Sequence, residues 1–589
     1  MTRSLRPAAS PRRHLPAVAA ILLATALCGG LARSAAAQTT GTGGGSDLAG
    51  TAATDSTALA PSSGSLLQGG PPQAGGLGGG NNLSNTNGES MRDRIDSALG
   101  LGPPSTVEQP AVQFVPAITL LQGWTSNANS VPGASGNAAF TTQIAPSISV
   151  NADTRRVQGS FTYAPNFIIY EPSRGENTAA QNLSLHAHTT IVPDAFFVDL
   201  SGFAARQTIS GGYGPSGTVV QNQSNTSQNY SFSLAPYWLR HAGDIGTVEI
   251  GGSVAETAQL VPGGTIVAPA PGLPPTSVQS YSATPTGEHI AFASGEYFGR
   301  WLSNAYLTGM QGNGNGVMSG AYRYEALYEA GYAITRRITA LASIGWDDIY
   351  YGGFPPVRVN SALWNIGAQM TPNPDSQITV RYGRKDGIDA PYVAAVYQLS
   401  PRTRITANYS VTLSTDLEQL NNDLLYATTD SFGNPINSFN GQPLLAANNF
   451  LGIFTNVYKL TTGSVTGTLL LNRDTFQIGF NHQSQISLNV AEPGLVAYDS
   501  TGNYGTLSWQ HDLSEVVKAQ ASVQYGSLEQ QTGGISQTAT VFAGGAQVSY
   551  AISDKLSATL QYSYTSNVYR GPFPGYNVNL ILAGLHKTF

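Results

Sequence analysis

The sequence predicts an all-β fold: a closed, transmembrane antiparallel β-barrel of about twenty-two strands, within a range of about 20–24. Three observations predict it. From Val112 to Phe589 the chain repeats one unit, a run of roughly 9–14 residues alternating apolar and polar, followed by a turn. The N-terminus carries an export signal. Charged residues make up only 11% of the chain, against roughly 25% in ordinary soluble domains, yet no stretch after residue 37 is apolar for the 18 or so residues a membrane helix needs. Low charge without helical spans is what a barrel requires, since half of each strand faces lipid and half a polar lumen.

Residues 1–37 read as a signal peptide. Arg3, Arg6, Arg12 and Arg13 precede an apolar stretch from Leu15 to Leu27, and Ala35-Ala36-Ala37 places cleavage after Ala37. Arg12-Arg13 resembles a twin-arginine pair, but a barrel must reach its insertion machinery unfolded. Cys28, the single cysteine, lies inside the signal behind Leu27, so the mature chain is expected to carry no disulfide, thiol catalyst or lipid-bearing cysteine. Removing five Arg and no acid takes the net charge from −6 to −11. That argues against nucleic acid as a partner.

Residues 38–110 are a different material. Runs such as Gly41-Thr42-Gly43-Gly44-Gly45 and Gly78-Gly79-Gly80 predict a disordered, low-complexity Gly/Ser-rich periplasmic segment that cannot build a core. Within it, Met91, Ile95 and Leu99 follow helical spacing, and 89–99 is expected as a short amphipathic helix. It is either a docking element for a periplasmic partner or a transient linker helix.

The barrel is expected over 111–589. In 157–169, Val157, Phe161, Tyr163, Phe167 and Ile169 share one face, opposite Gln158, Ser160, Thr162 and Asn166. Residues 516–526 and 555–565 repeat the pattern, with Val517, Val523, Tyr525, Leu556, Leu560 and Tyr562 on the lipid side. Short polar turns fall near Asp153, Asp194, Gly243, Gly299, Arg336, Pro374, Pro401, Arg473, Leu513 and Asp554. Longer loops rich in Gly, Pro, Asn and Ser lie between them, including 209–227, 259–285, 311–319 and 415–450. Short turns belong to the periplasmic side and long loops outside; ten turns with both chain ends periplasmic give the strand number. The stretch 451–472 fits neither pattern well. Trp124, Tyr170, Tyr350, Tyr351 and Tyr569, at strand ends beside outer loops, suit an aromatic girdle, although the ordinary β-propensity of aromatics also accounts for such positions.

The last strand runs from Tyr576 to Phe589, with Ile581, Leu585 and Phe589 on one face. It is similar to the C-terminal signal read by the barrel-insertion machinery, which makes that machinery an expected partner. Lys587 on the same face departs from the pattern.

Several segments together resemble a family of outer-membrane barrels associated with PEP-CTERM and exopolysaccharide systems. They are Ile118–Asn129 (ITLLQGWTSNAN), Thr141–Val150 (TTQIAPSISV), Arg155–Tyr163 (RRVQGSFTY), Val192–Ser201 (VPDAFFVDLS) and Tyr397–Ser410 (YQLSPRTRITANYS). The resemblance spans most of 112–413 and excludes 38–110. It implies an outer-membrane barrel linked to polysaccharide or surface-protein export, and it supplies no catalytic residues.

Candidate site residues follow from the faces. His186 and His188, two apart beside Asn182 and Ser184, form a conceivable metal pair or general base. They lack an evident third ligand or nucleophile, and no cofactor, metal or enzymatic activity is expected. Asn481-His482-Gln483-Ser484 resembles a Ser/His hydrolase only in composition. Arg323, Glu325 and Glu329, then Arg381, then Arg404 are expected to line the lumen, since charges in a barrel wall point inward or sit at the rim. They either satisfy one another in cross-lumen pairs or line a solute path. In 415–450, Leu417, Leu420 and Leu424 follow helical spacing, so a helix there could fold inward and constrict the pore.

The function expected from these features is a pore or export channel in the bacterial outer membrane, set among outer-membrane lipid and lipopolysaccharide. It would act with periplasmic polysaccharide-export components. A structural or adhesive barrel is the alternative. An energy-coupled receptor ranks below both, because such receptors need a plug domain of over 100 residues and 38–110 supplies only 73.

Overall fold

The computed structural model describes residues 111–128, 136–209, 211, 226–261, 265–267, 272–274, 276–423, 427–429, 435–437 and 450–589. The expected signal peptide, its cleavage site, the segment 38–110 and the helix at 89–99 lie outside the described residues.

Twenty-two antiparallel strands close into one barrel. They are β1 Val112–Thr125, β2 Ala139–Asp153, β3 in two pieces (Val157–Tyr163 and Asn166–Glu171), β4 in two pieces (Thr178–Ala180 and Leu183–Val192), β5 Phe196–Thr208, β6 Thr226–His241 and β7 Gly246–Leu260. Next come β8 Tyr281–Ser294, β9 Trp301–Gly314, β10 Ser319–Thr335, β11 Ile338–Tyr351, β12 Val357–Met370, β13 Gln377–Lys385, β14 in two pieces (Ile388–Asp389 and Tyr392–Ser400) and β15 Thr403–Ser414. The ring is completed by β16 Tyr458–Leu470, β17 Asp474–Ser487, β18 Asp499–Asp512, β19 Val517–Thr532, β20 Ile535–Ser553, β21 Leu556–Tyr569 and β22 Tyr576–Thr588. Among the described residues one α-helix, α1 Asp416–Asp423, lies between β15 and β16. No helix among the described residues is long and apolar enough to cross a membrane.

Each strand pairs with its sequence neighbour, and β1 pairs with β22 from Ala117↔Thr588 to Thr125↔Leu580. Closure removes both sheet edges, so the backbone is satisfied within lipid. The seam is tight. A Cβ on Gly123 would lie 1.9 Å from the Ile581 carbonyl oxygen, a backbone atom that cannot swing away. Gly123→Ala is therefore expected to impair closure, read as loss of the heat-modifiable band on gels of refolded barrel.

The period-two faces behave as a lipid boundary demands. Phe167, Ile169, Val523, Tyr525, Leu560 and Tyr562 are exposed on the outer surface, while Ser563 and Gln524 opposite them are buried. Ile581, Leu585 and Phe589 are exposed as a row on β22. The Lys587 ammonium lies over the Phe589 ring at 5.5 Å, which lets a cation sit beside an apolar terminus. All ten short turns connect strands at one end, with both barrel termini.

Two expectations need correction. Tyr170, Tyr351 and Tyr569 are not girdle residues: they are 2%, 0% and 5% exposed and point inward, whereas Trp124 is on the outer face. Adjacent residues such as Tyr350 and Tyr351 cannot both face lipid, and Tyr351 takes the inner side. The ambiguous stretch 451–472 splits at Tyr458, with β16 after it and, before it, a leg of the long loop that lies inside the barrel.

Candidate functional site

The described ends of the loop joining β15 to β16, 415–423 and 450–457, do not stay outside. The loop opens with a capping box, Thr415-Asp416-Leu417-Glu418: the Glu418 backbone N–H donates to Thr415 Oγ1 (3.2 Å) and the Thr415 N–H donates to Glu418 Oε2 (3.1 Å). The helix this nucleates, α1, packs against β6 and β7, nine and eight strands away from its own origin at β15 in a ring of twenty-two. Leu417 and Leu420 are buried; Leu424, the third residue of the predicted stripe, lies outside the described residues. On the return, the Ile453 N–H donates to the Ile209 carbonyl beyond β5 (3.0 Å), and Gln207 Nε2 donates to the Gly452 carbonyl (3.4 Å). The two described legs of the loop, 415–423 and 450–457, thus reach inward to β5, β6 and β7.

Two apolar clusters fix it there. Phe450, Leu451, Phe454 and Tyr458 pack with Leu273, Tyr498, Tyr504 and Leu528. Leu417 and Val457 pack with Tyr281, Met318, Ile349 and Tyr351. The loop between β17 and β18 locks the assembly: Asn489 accepts from the Val457 N–H (2.9 Å) and donates to the Gly352 carbonyl (2.8 Å), and Val490 bridges to Phe354. The cavity left between these loops, beside Ile209, Val278, Ile453 and Leu495, is about 50 Å³, far below the roughly 300 Å³ of a small-molecule site. Among the described residues, the two legs of the loop are built into packed apolar clusters.

Beneath them the predicted lumen charges are drawn together. Arg323 donates through Nη1 to Asp386 (2.7 Å) and through Nη2 to the Tyr351 hydroxyl (3.0 Å) and the Leu413 carbonyl (2.8 Å). The Tyr351 hydroxyl donates to Glu418 Oε1 (2.6 Å), so β10, β11, β15 and the plug helix share one hydrogen-bonded unit. Lys385 Nζ donates to Glu325 (2.8 Å). Below, Arg381 pairs with Glu329 and also reaches Ser343 (3.5 Å) and Asn365 (3.4 Å) on the two intervening strands. The pairs run along the wall rather than across the lumen. Every one of these charged side chains on β10 and β13 is less than a tenth exposed.

Arg404 stands apart, one residue past the start of β15 at the short-turn end. His186 and His188 lie on β4; His188 Nδ1 contacts Asp199 (2.7 Å) and its ring stacks on Phe197, which stacks on Tyr237. Among the described residues no three His, Cys, Asp or Glu side chains converge as a metal site. His482 Nδ1 contacts Asn503 (2.8 Å), while Ser484 bonds Thr501, so these two do not meet as a dyad. Sequence reasoning missed Asp347, Lys385, Asp386 and Glu418.

At the outer end, Asp416 accepts from the Tyr458 hydroxyl (2.6 Å) and the Phe454 N–H (2.7 Å), tying the two legs of the loop together. Burial pushes its carboxyl up to about 7, against the pull of those two donors. Burial also raises Glu418, opposed by Arg323.

No family model matches the chain, and no curated protein matches its sequence. Among solved structures the chain is similar to the siderophore receptor PirA from Acinetobacter baumannii (9% identity, 82% of this chain and 81% of that one, TM-score 0.45). It is also similar to the FrpB iron transporter from Neisseria meningitidis (10% identity, 84% and 82%, TM-score 0.45). A third is the ferric-catecholate import receptor Fiu from E. coli K12 (11% identity, 82% of each chain, TM-score 0.45). At these identities the likeness is one of barrel fold.

Proposed function

We propose that the protein is an outer-membrane transporter whose lumen is closed at rest by its own outer loops and opens when a bound cargo or partner displaces them. The observation that carries this is the placement of 415–423 and 450–457 inside the barrel, held by buried apolar clusters and by Glu418. A passive pore keeps its charges in water to meet solutes; here Arg323, Glu325 and the Arg381–Glu329 pair are buried in ion pairs, Arg323 with Asp386 and Glu325 with Lys385. A lumen closed in this way suits receptor-type uptake, in which binding does the work of opening, better than a standing export channel. Export of a polysaccharide or surface polymer, which the family resemblance implies, requires a partner that removes the plug.

Planar-bilayer conductance of the mature chain tests it, against a variant in which 416–455 is replaced by a short Gly/Ser linker. The intact barrel is expected to be nearly silent and the variant to show steady conductance. Equal, large conductance in both would mean an open pore. Silence in both, with the barrel folded by gel mobility, would mean that the loop is not what closes it.

A further inference from the structure

Glu325 and Asp347 stand directly opposite each other on β10 and β11, a position where Cβ atoms lie about 4.5–5.5 Å apart and like charges repel. They are 4% and 1% exposed. Each has one oxygen satisfied: Glu325 Oε2 by Lys385 Nζ (2.8 Å) and Asp347 Oδ2 by the Asp386 backbone N–H (2.8 Å). The other two, Glu325 Oε1 and Asp347 Oδ1, are buried without a donor.

The surroundings do not supply a compensating charge. Lys385 comes from β13 and Arg323 from β10, and Arg323 is committed to Asp386, Tyr351 and Leu413. Asp386 from the β13–β14 turn and Glu418 from α1 are both acidic, and Arg381 one tier below is held by Glu329. Four carboxylates (Glu325, Asp347, Asp386, Glu418) against two cations (Arg323, Lys385) leave a net charge of −2 in a buried cluster. Two buried carboxylates side by side do not both ionise when one proton can serve both.

We infer that Glu325 and Asp347 form a proton-binding site, holding one proton between them at neutral pH. The proton turns two orphaned acceptors into a carboxylic acid–carboxylate hydrogen bond, Oε1 to Oδ1, and brings the cluster from −2 to −1. Because Asp347 also holds the Asp386 backbone, and Asp386 holds Arg323 and Leu413, the protonated pair supports the wall on which the plug rests. The site itself is independent of the direction of transport.

Infrared spectroscopy of the full mature barrel in lipid vesicles tests it. Wild type at pH 7 is expected to show a protonated-carboxyl C=O band that shifts in heavy water, and Glu325→Gln and Asp347→Asn are each expected to remove it, because the remaining acid then ionises against Lys385 or the Asp386 N–H. All three are compared in an Asp416→Asn background, which takes away the plug carboxyl that burial pushes up to about 7; Glu418 is common to all three. A band that survives in either variant would overturn the shared proton. So would a wild-type band that appears only after Mg²⁺ and Ca²⁺ are chelated, which would make the native occupant a divalent cation. Should a variant fail to fold, the Asp416→Asn barrel alone decides: its band must disappear on alkaline titration with the loss of one proton, and a band unchanged up to pH 10 overturns the site.

Discussion

Arg381→Met is expected to destabilise the barrel by about 3–5 kcal/mol, because it leaves the Glu329 carboxylate buried and unpaired. Both side chains of this pair are nearly inaccessible, 2% and 3% exposed. Glu329 keeps only a long contact from Asn304 Nδ2 (3.5 Å), which cannot replace a guanidinium. The paired variant Arg381→Met with Glu329→Leu is expected to recover most of the loss, since neither buried charge remains. Urea unfolding in lipid vesicles reads both. The exposed pair Arg174–Glu171, 3.7 Å apart with 79% and 64% exposure, is the control, and Arg174→Ala should leave the midpoint unchanged. The comparison also bears on transport. A loss under about 1 kcal/mol for Arg381→Met is the behaviour of a solvated pair, and would mean that water fills the lumen at that height and that the wall charges do face a solute path.

The strands were legible in the sequence because lipid on one side and lumen on the other impose a period of two along each strand between Val112 and Thr588. The same parity put Arg323, Glu325, Glu329 and Arg381 on the inner face. What parity does not carry is height or azimuth. Arg381 meets Glu329 across two intervening strands only because Ser343 and Asn365 are short enough to let the side chain lie along the wall, and nothing local in 377–385 signals that. Asp386 reads as an ordinary turn residue; its role depends on the turn folding inward (φ 54°) under β15. Asp347 was within reach: the parity that buries Leu341 and Ser343 also puts Asp347 inside, next to Glu325. Glu418 was half legible. The spacing Thr415-x-x-Glu418 marks a helix start, and Leu417 and Leu420 mark an apolar face, but whether that face meets the lumen or solvent is decided by Tyr351, Val457 and Tyr281, which are far away in the chain.

Raising the pH from 5 to 8 is expected to loosen the plug, and Asp416 sets the sign. In the docked loop its carboxyl is pushed up to about 7 by burial; in an undocked, solvated loop it returns to the ordinary range near 3.8. A folded-state value above the unfolded one means that docking binds a proton. Its contribution is fully present below about 4 and is lost as pH rises through about 7. A shift of about three units corresponds to about 4 kcal/mol at most, at 1.36 kcal/mol per unit. Asp416 is enclosed by its neighbours yet keeps some accessible surface, so solvent screening reduces the expected change to about 1–2 kcal/mol. Glu418, also raised by burial, adds in the same direction. Hydrogen exchange at Ile453, Phe454 and Val457, read against fixed strand amides such as Val541, measures plug opening at each pH after correction for intrinsic exchange. Protection should fall several-fold to roughly thirtyfold from pH 5 to pH 8, and Asp416→Asn should abolish the larger part of that fall, with the amide oxygen accepting from the Phe454 N–H and the amide Nδ2 donating to the Tyr458 hydroxyl in place of the bond that hydroxyl gives the carboxylate. A plug more protected at pH 8 than at pH 5 would mean that the ionised Asp416, held by the Tyr458 hydroxyl and the Phe454 N–H, is the latched form, and that burial is the weaker influence on this carboxyl.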